Sequence, residues 1–431
     1  MEKSYYDTYK KHPYQEHFTE ENLKNISIYD NNTILDLIDT FFSICYYDFY
    51  TKRTEDSNKI IKLCIPVYNV EKFNKISPIL NKLIKFMTNG ENWEISFSKA
   101  KMQKCIKQNS QQSFEPKYNS IALLSGGLDS LAGAGQEINS KTIFVTFATN
   151  KTEKSKAKNS YNNYISRICV NSTHRIIKKR NLNYKTHLTQ RTRSLIFIAS
   201  CLIYADYYKI NKIKIYENGI MTLNPSFFFR RKVTRTTHPK TLFYINSIFK
   251  ELDLKIEVTN PFNFLTKKEV INLIPREWDE LIKNTKTCSK MPASKAFYNH
   301  KKQGYCHCGI CAACILRQIS IYNSIKKELD VKYIVPIELL NINKKKNYEK
   351  ESGISNDVKY IEDLCKYRYI EKKSLIEYYK LFQKNIINGE IYKYLNLHPK
   401  YFKNKNYKIQ YDKMLYNFSS EIEKYINYLD K

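Results

Sequence analysis

Glycine is scarce, with 10 residues in 431. A chain so sparing of it places glycine where the backbone must turn unusually or approach something closely. Four of the ten fall within residues 126–135. Long apolar runs are also missing. The longest, residues 194–205, is too short to span a bilayer and reads as a buried helix. The opening MEKSYYDTYK carries no basic-then-apolar leader pattern. The expectation is a cytoplasmic chain with no membrane contact, where thiols stay reduced. Acidic residues are outnumbered 42 to 72, for a net charge of +30. That field favours anionic partners, either nucleotides or nucleic acid. The lysines are spread along the whole chain, however, and equally suit a solvated surface. There is no Ser-His-Asp pattern, no paired-carboxylate signature and no internal repeat.

What is present suits two or three domains. Residues 1–117 read as an N-terminal α/β extension. Helices are expected over 33–53 and 76–87, strands over 59–70 and 93–97, and a polar linker over 103–119. Residues 118–325 alternate strand and helix. Expected strands are 121–124, 142–147, 174–177, 212–217 and 255–258. Expected helices lie near 128–139, 155–168, 191–209, 241–252 and 266–275. This alternation predicts an α/β fold with a doubly wound parallel sheet, whose ligands sit at the carboxyl ends of the strands. Residues 326–431 read as a helical C-terminal region, clearest over 361–382 and 414–428.

The glycine cluster opens in residues 121–133, IALLSGGLDSLAG. Four apolar residues run into Ser125-Gly126-Gly127-Leu128-Asp129-Ser130 and then a helix start. A helix amino end offers free N–H groups and the positive end of its dipole to an anion, and consecutive turn N–H groups can cradle phosphate oxygens. Ser125 and Ser130 can add hydroxyl hydrogen bonds. Asp129 would repel phosphate unless it holds magnesium or fixes the loop through backbone N–H groups. The loop lacks the Gly-Lys-Ser/Thr of the nucleotide P-loop. Two further residues look toward the strand ends. Arg193 opens an apolar helix. Lys267 starts a helix, where its charge opposes the dipole, so a phosphate or substrate contact would account for it.

Of eleven cysteines, Cys45, Cys64, Cys105, Cys169, Cys201 and Cys365 are scattered and read as small buried hydrophobes. The other five fall between 288 and 314. Cys308, Cys311 and Cys314 are spaced C-x2-C-x2-C, and Cys288 can close a tetrahedral thiolate site for a structural zinc. Cys306 or His307 could replace Cys288, and three close cysteines could also hold an iron–sulfur cluster.

The string S-G-G-x-D-S after an apolar strand resembles the PP-loop ATP pyrophosphatases. Together with C…C-G-x-C-x-x-C…R it resembles the 7-cyano-7-deazaguanine synthase family of the queuosine pathway. Residues 193–205 (RSLIFIASCLIYA), 214–219 (KIYENG) and 258–270 (VTNPFNFLTKKEV) follow that family's order. The resemblance spans roughly 120–320. It implies the adenine-nucleotide hydrolase core of PP-loop enzymes, with ATP at Leu124, Ser125, Gly126, Gly127, Leu128, Asp129, Ser130 and Leu131, and magnesium accompanying the ATP. Ser125, Asp129 and Ser130 would be the catalytic residues. Zinc would sit on Cys288, Cys308, Cys311 and Cys314, and a purine-like substrate would lie near Arg193, Gly219 and Lys267. The activity implied is a C–N ligase that adenylates a 7-deazapurine carboxylate for attack by an amine.

There are departures. Residues 145–154 (VTFATNKTEK) lack the family's Gly-Gln, Thr237-His238-Pro239-Lys240 replaces Tyr-Pro-Asp, and Ser194 replaces Asn. The extensions resemble a longer branch found in bacterial antiviral defence systems. Residues 61–67 (IKLCIPV) and 86–97 (FMTNGENWEISF) follow that branch's N-terminal pattern. This implies protein partners of a defence complex and a protein amine as an alternative to ammonia. Two other functions stay open. Residues 225–240 (PSFFFRRKVTRTTHPK) set five basic residues beside three phenylalanines, which suits a tRNA-modifying enzyme that binds nucleic acid; alternatively Arg230, Arg231, Lys232 or Arg235 would contact the phosphates of ATP. The last option is an ATP-binding assembly subunit without turnover.

Overall fold

The structure, a computed structural model, describes residues 13–18, 23, 26, 28–50, 60–107, 118–137, 140–148, 173–178, 191–225, 234–288, 306–307, 309, 312–333 and 379–429. Helix α1 (Asn32–Tyr50) is followed by strand β1 (Ile61–Val67) and strand β2 (Trp93–Lys99). Both strands alternate. Ile61, Leu63, Ile65 and Val67 point inward, as do Trp93, Ile95 and Phe97, the period of a half-buried strand. They pair in parallel, Ile61 opposite Trp93 through Val67 opposite Lys99. A parallel pair needs a crossover, which helix α2 (Val70–Met87) supplies. The helix begins at Val70 rather than near 76. Asn69 caps it by accepting from the Lys72 N–H at 3.0 Å, a start signal that lies outside the apolar run.

Five further strands form one parallel sheet: β3 (Ser120–Leu123), β4 (Thr142–Ala148), β5 (Thr173–Lys178), β6 (Lys212–Lys214) and β7 (Glu257–Thr259). Their spatial order is β5-β4-β3-β6-β7. The interleaved helices are α3 (Leu128–Gln136), α4 (Ser194–Tyr207), α5 (Gly219–Leu223), α6 (Pro239–Glu251) and α7 (Lys267–Asn272). Side chains from β3 and β4 divide between two cores. Ile121, Ile143 and Val145 join a core built with α4, α6 and the N-terminal elements. Ala122 and Phe144 join another with Leu128, Leu131, Val270, Ile271 and Trp278. Both faces of the sheet are therefore covered, as its near-continuous apolar strands require. Helix α4 is apolar on all sides because it is buried between the sheet and α1.

The N-terminal extension shares the core of the sheet. The Asp48 carboxylate accepts from the Thr192 N–H at 3.0 Å and its hydroxyl at 2.9 Å, just ahead of α4. The expected linker departs from its polar composition. Lys104 is buried and bridges Asp36 and Asp39 at 2.6 and 2.7 Å. Ile106–Lys107 pairs antiparallel with Ile28–Tyr29. A lysine with two buried carboxylate partners reads like any surface lysine in a sequence window. Strand β6 stops at Lys214, short of the expected 217, so Glu217 falls in a loop. The expected helix 155–168 lies outside the described residues, as does most of 361–382.

At the carboxyl end of the chain, helix α8 (Ala312–Tyr322) and helix α9 (Lys405–Leu429) pack with residues 379–387 and α5 around Leu223, Ile315, Leu316, Met414 and Phe418. Among the described residues, no helix is long and apolar enough to cross a membrane.

Candidate functional site

From β3 the chain winds outward to β4 and β5, while β6 and β7 lie on the other side of β3. The direction of winding reverses between β3 and β6, the place in open parallel sheets beside whose strand ends ligands bind. The β3 loop brings Ser125, Gly126 and Gly127 to that point. The β6 loop brings Glu217, Asn218 and Gly219.

The β3 loop is tightly drawn. Gly126 has φ +81°, the left-handed region that favours glycine. Its carbonyl accepts from the Lys286 N–H at 2.8 Å. At Gly127 a Cβ would stand 3.3 Å from the Lys286 carbonyl oxygen. Gly127 is also the N-cap of α3, where no side chain caps the helix. The dipole and first-turn N–H groups are therefore open to an anion. The Ser125 and Ser130 hydroxyls lie 3.2 Å apart, and the Ser130 hydroxyl donates to the Gly127 carbonyl at 3.0 Å. Leu124, Leu128 and Leu131 turn their side chains into the core, so only their backbone can take part in a site. Gly133 and Gly135 serve packing instead. A Cβ on Gly133 would fall into the Tyr216 ring, and one on Gly135 would reach Pro275 Cδ at 2.6 Å.

Asp129 is buried and fully engaged. One carboxylate oxygen faces the Lys267 Nζ at 2.5 Å. The other accepts from the Asn218 N–H at 3.1 Å and its side-chain amide at 2.7 Å. Burial works against the charge, but Lys267 and the Asn218 hydrogen bonds outweigh it and hold the carboxyl below its ordinary range. Of the two roles open to Asp129, the observed one is fixing the loops: it ties α3 to the β6 loop and to α7. Lys267 in turn stands at the first position of α7, where Thr266 and Glu269 form a capping box. Helix α9 braces that box. The Thr266 hydroxyl donates to Glu421 at 2.6 Å, and the Asn417 amide donates to Glu269 at 2.8 Å.

Glu217 is the site residue that the sequence did not single out. It is half-buried and lies beside Asp129. Burial first, and the negative charge of Asp129 second, push the Glu217 carboxyl up to about 8. Asn260 clamps the backbone here, accepting from the Glu217 N–H at 3.3 Å and donating to its carbonyl at 2.7 Å. The signal available was a Glu-Asn pair leaving a strand at the carboxyl edge of a parallel sheet.

The other expected residues fall as follows. Arg193 is exposed at the start of α4, 6.0 Å from the Phe197 ring, and its charge acts on Glu217. The Gly219 N–H donates to the Leu265 carbonyl at 2.8 Å, and a Cβ there would collide with the Asn263 carbonyl and the Met414 sulfur. Gly219 therefore serves close backbone approach. Arg235 packs on Phe86, 4.3 Å from the ring, and donates to its carbonyl at 2.7 Å. Residues 230–232 lie outside the described residues. His238 caps α6 by accepting from the Lys240 N–H at 3.1 Å.

Cys288 and Cys314 are both buried. Arg317, one turn after Cys314 on α8, donates to Thr285 at 2.7 Å and Thr287 at 3.1 Å, and so holds the segment leading to Cys288 against that helix. Cys308 and Cys311 lie outside the described residues, as does the side chain of Cys306. His307 is buried. Among the described residues no group of three or more metal-binding side chains occurs. Two buried thiols on adjoined segments fit part of a thiolate zinc site.

No protein-family model matches the sequence, and no curated protein matches it either.

Proposed function

We propose that the protein is an ATP-dependent C–N ligase of the PP-loop type, similar to 7-cyano-7-deazaguanine synthase. In this reading it adenylates the carboxylate of a 7-deazapurine for attack by ammonia or a protein amine, alongside protein partners of an antiviral defence system. One observation carries it: the uncapped amino end of α3, with a Gly126-Gly127 turn and the Ser125 and Ser130 hydroxyls, stands at the winding reversal of a parallel sheet. This arrangement suits the phosphates of a nucleotide. Magnesium would travel with the ATP phosphates and offset their charge. Lys267 leaves Asp129 with little net charge to oppose them. Zinc on Cys288, Cys308, Cys311 and Cys314 would hold the chain near the loop as a structural ion.

The test incubates zinc-loaded protein with Mg-ATP and 7-carboxy-7-deazaguanine. Ammonia is supplied in one arm and lysate protein in the other, with Ser125→Ala as control. Zinc content is measured alongside. Substrate-dependent release of AMP and pyrophosphate by the wild type supports the ligase, and the arm that yields product names the nucleophile. ATP bound without turnover in either arm would replace the ligase with a silent assembly subunit.

A second reading, nucleic-acid binding, draws on a cleft of about 730 Å³ lined by His398, Pro399, Lys400, Lys403, Asn404 and Lys405. None of its three lysines makes an ion pair among the described residues. Binding of transfer RNA that weakens steeply with salt would favour a tRNA substrate.

A further inference from the structure

We infer that the cleft ahead of α9 docks a single strand of nucleic acid, whose phosphates its lysines hold and one of whose bases stacks at His398. The inference rests on the nucleic-acid reading above and deepens it. It does not depend on the ligase.

Charge comes first. Lys400, Lys403 and Lys405 line the cleft and are exposed. Lys240 on α6 stands close enough for its charge to act on His398 in the same wall. Among the described residues none of these four lysines makes an ion pair. The acids nearest in the chain are engaged elsewhere. Asp412 accepts from the Tyr392 hydroxyl at 2.7 Å, and Glu390 pairs with Lys393 at 2.7 Å. Uncompensated ammonium groups round one cleft repel one another, and an anion that bridges them relieves the repulsion.

The ring is held in place. His398 lines the cleft, and one face of its imidazole rests on Phe243 of α6, with centroids 3.9 Å apart and planes 26° from parallel. Its Nδ1 accepts from the Lys400 N–H at 3.3 Å and caps the short helix Pro399–Lys403. Tyr401 of that helix donates to the Pro239 carbonyl at 3.2 Å and fastens it to α6. Burial first, then the charges of Lys240 and Lys400, hold the His398 pKa below its ordinary range. The ring is therefore neutral at pH 7, and with Nδ1 accepting, Nε2 carries the hydrogen. That N–H has no partner among the described residues and can donate to a base edge or a phosphate. A ring already immobile gives up little freedom when a base stacks on it.

Length favours a strand over a free nucleotide. Lys405 begins α9, and Ile409, Lys413 and Tyr416 follow on the same helix face. All four are exposed, Tyr416 by 74%. At 1.5 Å per residue the stripe continues about 16 Å beyond the cleft, further than a mononucleotide reaches. Lysines alternating with flat or apolar side chains suit a charged backbone that carries bases.

The test follows fluorescence anisotropy of a labelled single strand of about 16 nucleotides with the full chain and no ATP. RNA is used in one arm and DNA of the same mixed sequence in the other, from about 50 to 200 mM salt. One variant combines Lys400→Gln, Lys403→Gln and Lys405→Gln. A second combines Lys101→Gln, Lys141→Gln and Lys212→Gln, exposed lysines that do not line the cleft, and so matches the loss of charge. His398→Asn removes the ring and keeps a capping acceptor. Losing three phosphate contacts should reduce the salt slope by about 2, while the matched variant keeps the wild-type slope. His398→Asn should weaken binding about 5- to 150-fold at an unchanged slope. Equal loss of slope in both triple variants overturns the site and leaves the nucleic-acid reading standing. A duplex bound as tightly as the strand, or His398→Asn without effect, overturns the single-strand assignment. Displacement of the strand by polyglutamate at equal charge would replace it with an acidic protein partner. Wild type that binds neither strand at the lowest salt overturns the inference and the nucleic-acid reading together.

Discussion

Asp129 and Lys267, 138 residues apart in the chain, meet at 2.5 Å as a buried pair. The pair joins the first turn of α3 to the first position of α7, with the second acid, Glu217, beside it. Removing one partner of a buried pair leaves the other charge uncompensated, which typically costs about 3–5 kcal/mol. Lys267→Met is therefore expected to lose stability of that order in urea unfolding at pH 7. The loss should shrink as pH falls. Without Lys267, burial and Glu217 push the Asp129 pKa above its unfolded value, so the penalty exists only where the unfolded acid has given up its proton. A loss that stays constant between pH 7 and pH 4 would show that the pair is not what holds the loops.

The glycine cluster separates into two kinds of position, and substitution tells them apart. Gly126→Ala forces a Cβ into the left-handed region, a strain of roughly 1–2 kcal/mol. Gly133→Ala drives a methyl into the buried Tyr216 ring, and overpacking of this kind costs about 1–3 kcal/mol or more. Under the nucleotide-site reading, thermal unfolding with and without Mg-ATP should show Gly126→Ala losing most of the ligand-induced stabilisation. Gly133→Ala should lose intrinsic stability while its remaining folded fraction still responds to nucleotide.

Much of this was legible in the sequence, and the gaps have physical causes. Strand–helix alternation placed all five strands of the parallel sheet, because buried strands and amphipathic helices differ in apolar period. The tight Ser125–Ser130 turn was visible because glycines and serines stand at fixed offsets after an apolar strand. Glu217 was hidden because its proton affinity depends on Asp129, which comes from a different strand–loop unit. Lys104 was hidden for the same reason: its partners Asp36 and Asp39 are distant in the chain, and a polar window reads as linker. The functions of Gly133, Gly135 and Gly219 as packing positions emerge only once Tyr216, Pro275 and Met414 are in place.

His238 gives the fold an acid-sensitive point. It is buried with one ring nitrogen 2.8 Å from the Leu395 carbonyl, and the other accepts from the Lys240 N–H. Burial depresses its pKa to about 3. A histidine depressed in the folded state binds fewer protons than the unfolded chain between about pH 6.5 and pH 3, so its contribution to stability is lost as pH falls through that window. His238→Asn retains a capping acceptor without the titration. Its unfolding midpoint should fall less steeply from pH 7 to pH 5 than that of the wild type. Parallel pH profiles would count against His238 as the source.

The capping box of α7 links the C-terminal helix to the site. Thr266 accepts from the Glu269 N–H at 3.2 Å and donates to Glu421, so one hydroxyl both starts the helix bearing Lys267 and docks α9. Replacing a threonine cap removes about 0.5–2 kcal/mol, and Thr266→Val also leaves a buried carboxyl without its donor. Burial pushes the Glu421 pKa up to about 7, with the Thr266 hydrogen bond opposing that rise. Without the hydroxyl the pKa rises further, so the folded state resists ionisation of Glu421 more strongly. Thr266→Val should therefore be more destabilised at pH 8 than at pH 5, where Glu421 is largely protonated in the fold. Thr266→Ser, which keeps the hydroxyl, should restore most of the difference. Under the nucleotide-site reading, and if α9 holds Lys267 in place, Thr266→Val should also weaken nucleotide binding, measured by calorimetry at pH 7, although Thr266 is outside the Ser125–Ser130 turn. Unchanged nucleotide affinity with lowered stability would confine the role of α9 to packing.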